Sequence, residues 1–527
     1  MIADGGAREQ PGGLLWPPTA EAVAAASRDR ASSDHTTAPL GDQAMADLGL
    51  DRLFEPATAD APWLAADYRR PCADVATIAY RQAIARELAE RSVAAPFERF
   101  VAEIRRLQLR LDATARVPDP VPRHTWFLAA VERYLDVVAG LDDALADLTL
   151  TSDGLVAARA AVAAQVASPQ HRRTAEEAAS IRAELDAIVF TVRMQGGRVT
   201  VDRLHDEPDL AAQVAATFGR FRTGTATPIE PTATEPGVDQ VTARILQLVA
   251  TQHPGPFARL AGLHEDTQPL IAPEITRLVA ELPFYLGVLP QFRRLVDAGL
   301  PLSYPALVAA DAPSRAEASY DLAVGLSLLS EGGEVVTNDW HLDPPERILV
   351  VTGANQGGKT TFARAFAQLH HLAAIGLPVP AAHATVGLHD RLRTHFERKE
   401  QMTTLRGKLQ DELERLHAVL ADATDRSVIV LNETFSSTTL EDARSLGATF
   451  LERLTGLGAR VVYVTFVEEL ATAGGAVVSM VAGVAEDDPT RRTFRVVRRP
   501  PDGLAHALAL AQRYGLSEDA LRRRFAP

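Results

Sequence analysis

A single cysteine, Cys72, rules out any disulfide within this chain and any cluster of cysteine metal ligands. A reducing cytoplasm suits such a protein. Long hydrophobic runs are missing as well. No stretch of about 18 uninterrupted apolar residues occurs, the length a membrane-spanning helix needs. Residues 1–10 show no basic patch followed by an apolar run, so no secretory leader is expected. Positive charge is in deficit: 54 Lys and Arg stand against 68 Asp and Glu, a net charge of −14. A protein that coats nucleic acid without selectivity would be basic. A local basic stripe stays compatible with these numbers, because salt limits the reach of a charge to about 10 Å. What is present is ordinary globular material, 46% hydrophobic and 23% charged. The 527 residues suffice for roughly three or four cores of about 150 residues each.

Residues 1–45 are rich in Ala, Gly, Pro, Ser and Asp. This segment is expected to be partly disordered or to lie along the surface. From about 47 to 180 apolar residues recur at three- and four-residue spacing, which predicts helices over 75–92, 96–113 and 125–148, with another from about 174 to 186. Residues 188–194 and 198–203, joined by Gln195-Gly196-Gly197, read as a β-hairpin. Residues 223–237, dominated by proline and threonine, read as a linker. Helices resume at 238–252 and 273–298. Strand-like runs then alternate with helical stretches at 348–351, 428–431, 461–464 and 477–481. That alternation predicts a parallel sheet flanked by helices. The fold class expected is multidomain: a mostly α-helical region followed by a C-terminal α/β domain.

Gly353-Ala354-Asn355-Gln356-Gly357-Gly358-Lys359-Thr360 matches G-x-x-x-x-G-K-[ST]. In that pattern glycines let backbone N–H groups approach phosphates, the lysine reaches the β- and γ-phosphates, and the hydroxyl ligates Mg²⁺. The helix expected at 361–375 would aim its positive end at the same phosphates. The flanking order is right, with the apolar run 347–351 before the motif and an amphipathic run after it. A second apolar strand, 427–431, ends in Asn432-Glu433. Glu433 is placed to orient or deprotonate an attacking water. Asn432 stands where a metal-holding Asp is expected. It offers an oxygen but no charge, and hard cations prefer carboxylates. The expected nucleotide contacts are residues 353–360 with Thr361; Mg²⁺ falls to Thr360 and Asn432; Lys359 and Glu433 are the catalytic candidates.

These residues carry a resemblance. Val351-Thr352-Gly353-Ala354-Asn355-Gln356-Gly357-Gly358-Lys359-Thr360-Thr361-Phe362 is similar to the T-G-P-N-M-G-G-K-S-T-F stretch of the MutS mismatch-repair ATPases. Ile375-Gly376, Val379-Pro380-Ala381 and Gly387-Leu388-His389-Asp390-Arg391 follow that family's order, Asn432-Glu433 sits at its D-E, and Val464-Thr465-Phe466 with Glu469-Leu470 at its A-T-H-Y-H-E-L. The stretch 47–82 resembles, more faintly, the start of the family's core, and 503–521 its closing helices. The resemblance implies an ATP-binding, P-loop ATPase domain over 331–527, a core and lever region over 46–330 with a small clamp-like insertion near 188–237, and a flexible segment over 1–45. It implies ATP and Mg²⁺ as cofactors, duplex DNA (mismatched or branched) as partner, a homodimer, and a cytoplasmic protein, nucleoid-associated if bacterial, with no membrane partner. It also implies that Ser436, Ser437, Thr438 and Thr439 form a signature segment acting on the other subunit's site.

Three positions depart from the family pattern. Asn432 replaces an Asp, Phe435-Ser436-Ser437 a Gly-Arg-Gly stretch, and Phe466 a His that senses the γ-phosphate. No Phe-x-Glu wedge precedes the expected ATPase region, so mismatch reading by that wedge is not expected, and a nuclease domain is not expected after Leu521. Two functions follow: an ATP-dependent, nucleotide-gated DNA clamp whose ATPase motifs are weakened, or a degenerate nucleotide-binding switch that acts through protein partners with negligible hydrolysis. Arg105-Arg106, Arg172-Arg173, Arg220 and Arg222 read as solvated helix faces rather than phosphate contacts. Arg498-Arg499 and Arg522-Arg523-Arg524 read as helix-end charges or contacts to a partner. Of His370 and His371, one is expected to pack and the other to be exposed.

Overall fold

A computed structural model describes residues 12–18, 37–195, 198–203, 240–397, 408–485 and 491–501. The linker expected at 223–237, the closing helices at 503–521, Arg220, Arg222 and Arg522–Arg524 lie outside the described residues. The chain divides into two compact units. The first comprises residues 1–94, 150–156 and 280–527; the second comprises 95–149 and 157–279. No described helix is long and apolar enough to cross a membrane.

The second unit is helical with one hairpin. Helices Pro120–Ala146, Pro169–Asp186 and Pro254–Asp266 surround a core of Phe127, Leu128, Val131, Ala178, Ile181, Leu260 and Leu263. Pro120 and Pro122 do not break a helix here. They occupy its first turn, where an N–H has no partner to lose, and Asp119 caps it by accepting from Val121 N. Pro169 begins the next helix in the same way, and Ser168 accepts from His171 N. Forked ion pairs tie the helices together: Arg182 to Glu132 at 2.8 and 2.7 Å, and Arg259 to Glu177 at 2.9 and 2.8 Å. The expected hairpin is present as β1 (Phe190–Gln195) antiparallel to β2 (Arg198–Arg203).

The first unit is α/β. Its larger sheet runs β12-β11-β6-β10-β9-β8. The strands are β6 (Ile348–Gly353), β8 (Leu392–Phe396), β9 (Val428–Asn432), β10 (Arg460–Val464), β11 (Val477–Val484) and β12 (Arg492–Arg498). Five are parallel and β12 is antiparallel at the edge. The central three are buried on both faces, which is why they read as unbroken apolar runs. Ile348, Val350, Ile429, Leu431, Val461 and Tyr463 share one core with the helices Lys408–Asp422 and Leu440–Leu457.

A second sheet corrects the expectation of a single parallel one. It runs β3-β7-β4-β5, from β3 (Ala306–Val308), β4 (Ser314–Ser319), β5 (Asn338–Leu342) and β7 (His383–Gly387), and is mixed. Two of its strands, β3 and β4, fall in the stretch read as helical. The helix expected at 273–298 is three shorter ones, Pro273–Glu281, Pro283–Leu286 and Leu289–Asp297, each with Pro in its first turn.

The N-terminal segment is also not simply a surface tail. Leu14 and Leu15 are buried. Tyr285 Oη donates to Leu14 O at 2.7 Å, Arg81 Nε to Leu15 O at 3.0 Å, and Tyr80 Oη to Gly13 O at 2.7 Å. Three consecutive residues, 13–15, are thus held by side chains that reach their carbonyls.

Candidate functional site

β6 delivers the glycine-rich loop at the end of the sheet's central strand. Gly353 has φ +105°, and a Cβ there would come within 2.7 Å of Ala482 O on β11. Only glycine fits where two parallel strands crowd the turn. Gly358, at φ +93°, immediately precedes the helix Lys359–Ala374, which begins one residue before the motif's Thr360. The N-terminus of this helix therefore lies at the loop, the position at which a helix dipole suits an anion.

Lys359 is almost fully buried in that loop. Its Nζ donates to Gly353 O at 2.8 Å, Ala354 O at 3.3 Å and Asn355 Oδ1 at 3.2 Å. Burial pushes its pKa below the ordinary lysine range; the Glu433 charge opposes this and the Arg492 charge adds to it. Thr360 Oγ1 donates to Asn432 Oδ1 at 2.8 Å. The two positions assigned to a metal, 72 residues apart in sequence, therefore meet at one point. Thr361 follows in the same first turn. For Mg²⁺ this donor pair fits by position: two oxygens converge beside the loop, one hydroxyl and one amide. Neither is charged.

Glu433 follows β9 with φ +55°, and its N–H donates to Val464 O at 2.9 Å. A left-handed residue directly after a strand turns the chain sharply and sends the next side chains back. Phe435, also left-handed at φ +63°, is buried in the core. The turn is held from outside by Glu412 on the helix Lys408–Asp422. Its carboxylate accepts from Phe435 N at 2.7 Å and Ser437 Oγ at 3.2 Å. Of the signature candidates, Ser436 is exposed, Ser437 bonds Glu412, and Thr438 and Thr439 both donate to Asp442 Oδ2. Thr439 also caps the helix Leu440–Leu457 by accepting from Asp442 N. Glu412→Ala is expected to lower the unfolding free energy by about 1–3 kcal/mol, because it strands the buried Phe435 amide. Denaturant titration checks this, and an unchanged midpoint would remove Glu412 from its bracing role.

Two expectations about outlying residues need correction. His370 and His371 are both buried, not one exposed. The helix that carries them is packed along nearly its whole length. His370 Nδ1 bonds Phe366 O at 2.8 Å and its ring stacks on Trp340, while His371 Nε2 bonds Tyr68 O at 2.7 Å. Arg498 is not at a helix end. It lies on β12, contacts His341 Nε2 at 2.6 Å and pairs with Glu346. Asp390 accepts from Thr424 Oγ1 at 2.7 Å and Ser427 Oγ at 3.1 Å, a brace for the start of β9. Arg106 is exposed and paired with Glu103, as a solvated helix face would be.

Sequence reasoning missed β12. Its first residues reach the loop: Arg492 Nε donates to Asn355 O at 3.1 Å. Nothing in the motif's spacing signals a residue more than a hundred positions away.

Residues 349–512 match the family model of MutS domain V. The DNA mismatch repair protein MutS of Zymomonas mobilis is 34% identical over 145 residues, which are 27% of this chain and 17% of that protein. The matched stretch thus spans less than a fifth of that relative's length.

Proposed function

We propose, on the premise of the MutS-family membership that the domain V match and the 34% identity support, that this chain is an ATP-dependent, nucleotide-gated DNA-binding protein that hydrolyses ATP slowly. The family supports a role related to DNA mismatch repair. In it, residues 331–527 are the P-loop ATPase domain, 46–330 the core and lever region with a clamp-like insertion near 188–237, and 1–45 the N-terminal segment. The observation that carries the reading is the 2.8 Å bond from Thr360 to Asn432, which brings the loop and the end of β9 to one point.

The chain's own groups divide the work. Backbone N–H groups of 353–361 and the helix dipole bind the phosphates, with Lys359 reaching the terminal ones. Thr360 and Asn432 would hold Mg²⁺, which would supply charge neutralisation at the phosphates. Glu433 would hold the attacking water and accept its proton. Ser436, Ser437, Thr438 and Thr439, at the start of the helix Leu440–Leu457, would face the nucleotide of a second copy in a homodimer. Contacts made to the γ-phosphate in one state alone would change the grip on duplex DNA, mismatched or branched.

A second reading, a nucleotide-binding switch with negligible hydrolysis, is favoured by the uncharged Asn432 and by Phe466. Phe466 is 44% exposed where the resembled family has a histidine. ATP turnover by the purified chain separates the two, measured with no DNA and with duplex, mismatched and branched DNA, beside Glu433→Ala. DNA-stimulated turnover that Glu433→Ala lowers by about a hundredfold or more supports the ATPase. Tight ATP binding with turnover no higher than that of Glu433→Ala on any DNA rejects it in favour of the switch.

A further inference from the structure

β12 does more than close the edge of the sheet. Besides the Arg492 bond to Asn355 O, a Cβ placed on Gly358 would lie 3.5 Å from Phe494 Cα and 3.5 Å from Phe494 O. The strand therefore runs directly against the glycine-rich loop, touching it near both ends. Asn338 of β5 fixes it there: its Nδ2 donates to Phe494 O at 3.2 Å and its Oδ1 accepts from Val496 N at 2.7 Å. Thr493 Oγ1 adds a bond to Gly483 O at 3.0 Å. Phe494 takes φ +57°, a turn in the strand where it meets the loop. Thr493, Phe494 and Val496 thereby anchor the strand just beyond Arg492, whose charge bears on Lys359. Lysine in this motif serves the β- and γ-phosphates, and both cations meet the loop at Asn355, Lys359 Nζ at its Oδ1 and Arg492 Nε at its main-chain oxygen.

The position expected to hold the metal lacks a charged ligand, Glu433 being the carboxylate that follows it in the chain. A polyphosphate brings several negative charges, and a site of this kind usually offsets them with a divalent cation held by carboxylate. Here the converging oxygens are a hydroxyl and an amide. The guanidinium of Arg492 is permanently charged, and its fork of donors suits phosphate oxygens. A guanidinium beside the loop and an uncharged metal position act in the same direction.

We propose that Arg492 is a second phosphate-binding cation of this site, and that it takes over part of the charge compensation otherwise left to Mg²⁺, so that the nucleotide is held with little dependence on the metal. The proposal rests on the ATP-binding reading above. Its test is calorimetric binding of ATP to the full chain, in millimolar Mg²⁺ and in EDTA. The natural chain should differ by less than about threefold between the two conditions. Arg492→Ala should lose about tenfold in EDTA, about 1.4 kcal/mol, and less in Mg²⁺. Arg492→Lys should recover part of the loss, and Asn432→Asp should make binding depend on Mg²⁺. Thermal melts of each variant separate lost binding from lost fold. Undiminished binding by folded Arg492→Ala in EDTA, or a natural chain that binds only with Mg²⁺, overturns the proposal. A natural chain that binds ATP in neither condition overturns the ATP-binding reading itself, and this proposal with it.

Discussion

Lys359→Ala is expected to bind ATP at least about a hundredfold more weakly than the natural chain and to melt within a few degrees of it. The two halves of this expectation have separate causes. In the present geometry the ammonium spends its three donors on Gly353 O, Ala354 O and Asn355 Oδ1. Those acceptors lie at the end of β6 and on the loop that follows it. Burial already holds the lysine below its ordinary pKa range, so the folded state bears a desolvation cost to keep it charged. Removing it relieves that cost while giving up three bonds, and the two changes largely cancel in stability. Phosphate binding has no such cancellation. A charge-assisted bond contributes about 1.5–3 kcal/mol, and two of them to phosphate oxygens correspond to at least a hundredfold in affinity. Calorimetric titration with ATP and a thermal melt of the same sample read both halves. A variant that binds as well as the natural chain would show that the loop lysine is a structural brace for the turn and nothing more.

The loop was legible from sequence because its chemistry is local. The apolar run before it, the three glycines and the lysine lie within a dozen residues, and each needs its neighbours in that order. The end of β9 was legible for a related reason: strands buried on both faces read as unbroken apolar runs, and Asn432-Glu433 ends one. The second sheet was not. β4 reads Ser-Arg-Ala-Glu-Ala-Ser and alternates between buried and exposed, which gives too little hydrophobicity for a strand signal. β5, Asn-Asp-Trp-His-Leu, places a buried Trp340 and Leu342 among polar residues. Such strands are defined by what pairs with them, and pairing is a property of the fold. The same holds for Arg492. Its meaning comes from Asn338 and from the antiparallel pairing of β12 with β11, neither of which leaves a trace in local spacing. The burial of His371 depends on Tyr68, 303 residues away, so no helical periodicity could have assigned it to the interior.

Those buried histidines carry the other large expectation. The first unit should lose at least about 4 kcal/mol of unfolding free energy between pH 7.5 and pH 5, well before its carboxylates titrate. Burial pushes His370 down to about 3 and His371 down to about 4. His389 is likewise pushed well below the ordinary histidine range by burial and by the nearby His370, His371, Arg460 and Arg426. The Phe366 carbonyl favours a proton on His370, but burial outweighs it, and the ring otherwise faces Trp340, Phe366, His389 and, at longer range, the Arg460 guanidinium. In the unfolded chain each histidine titrates near 6.5. Below that value the unfolded state takes up protons that the folded state refuses, so stability is full above about pH 6.5 and falls as the pH drops towards the folded values. Each of the first two histidines contributes about 1.4 kcal/mol per pH unit in that window, hence about 2 kcal/mol each at pH 5. Their helix begins at Lys359, so acid should cost nucleotide binding along with fold. Denaturant titrations at the two pH values, beside His370→Leu, measure the effect. The substitution should remove about 2 kcal/mol of the drop, because leucine has no proton to gain. A His370→Leu chain that loses as much stability on acidification as the natural one would place the acid sensitivity elsewhere.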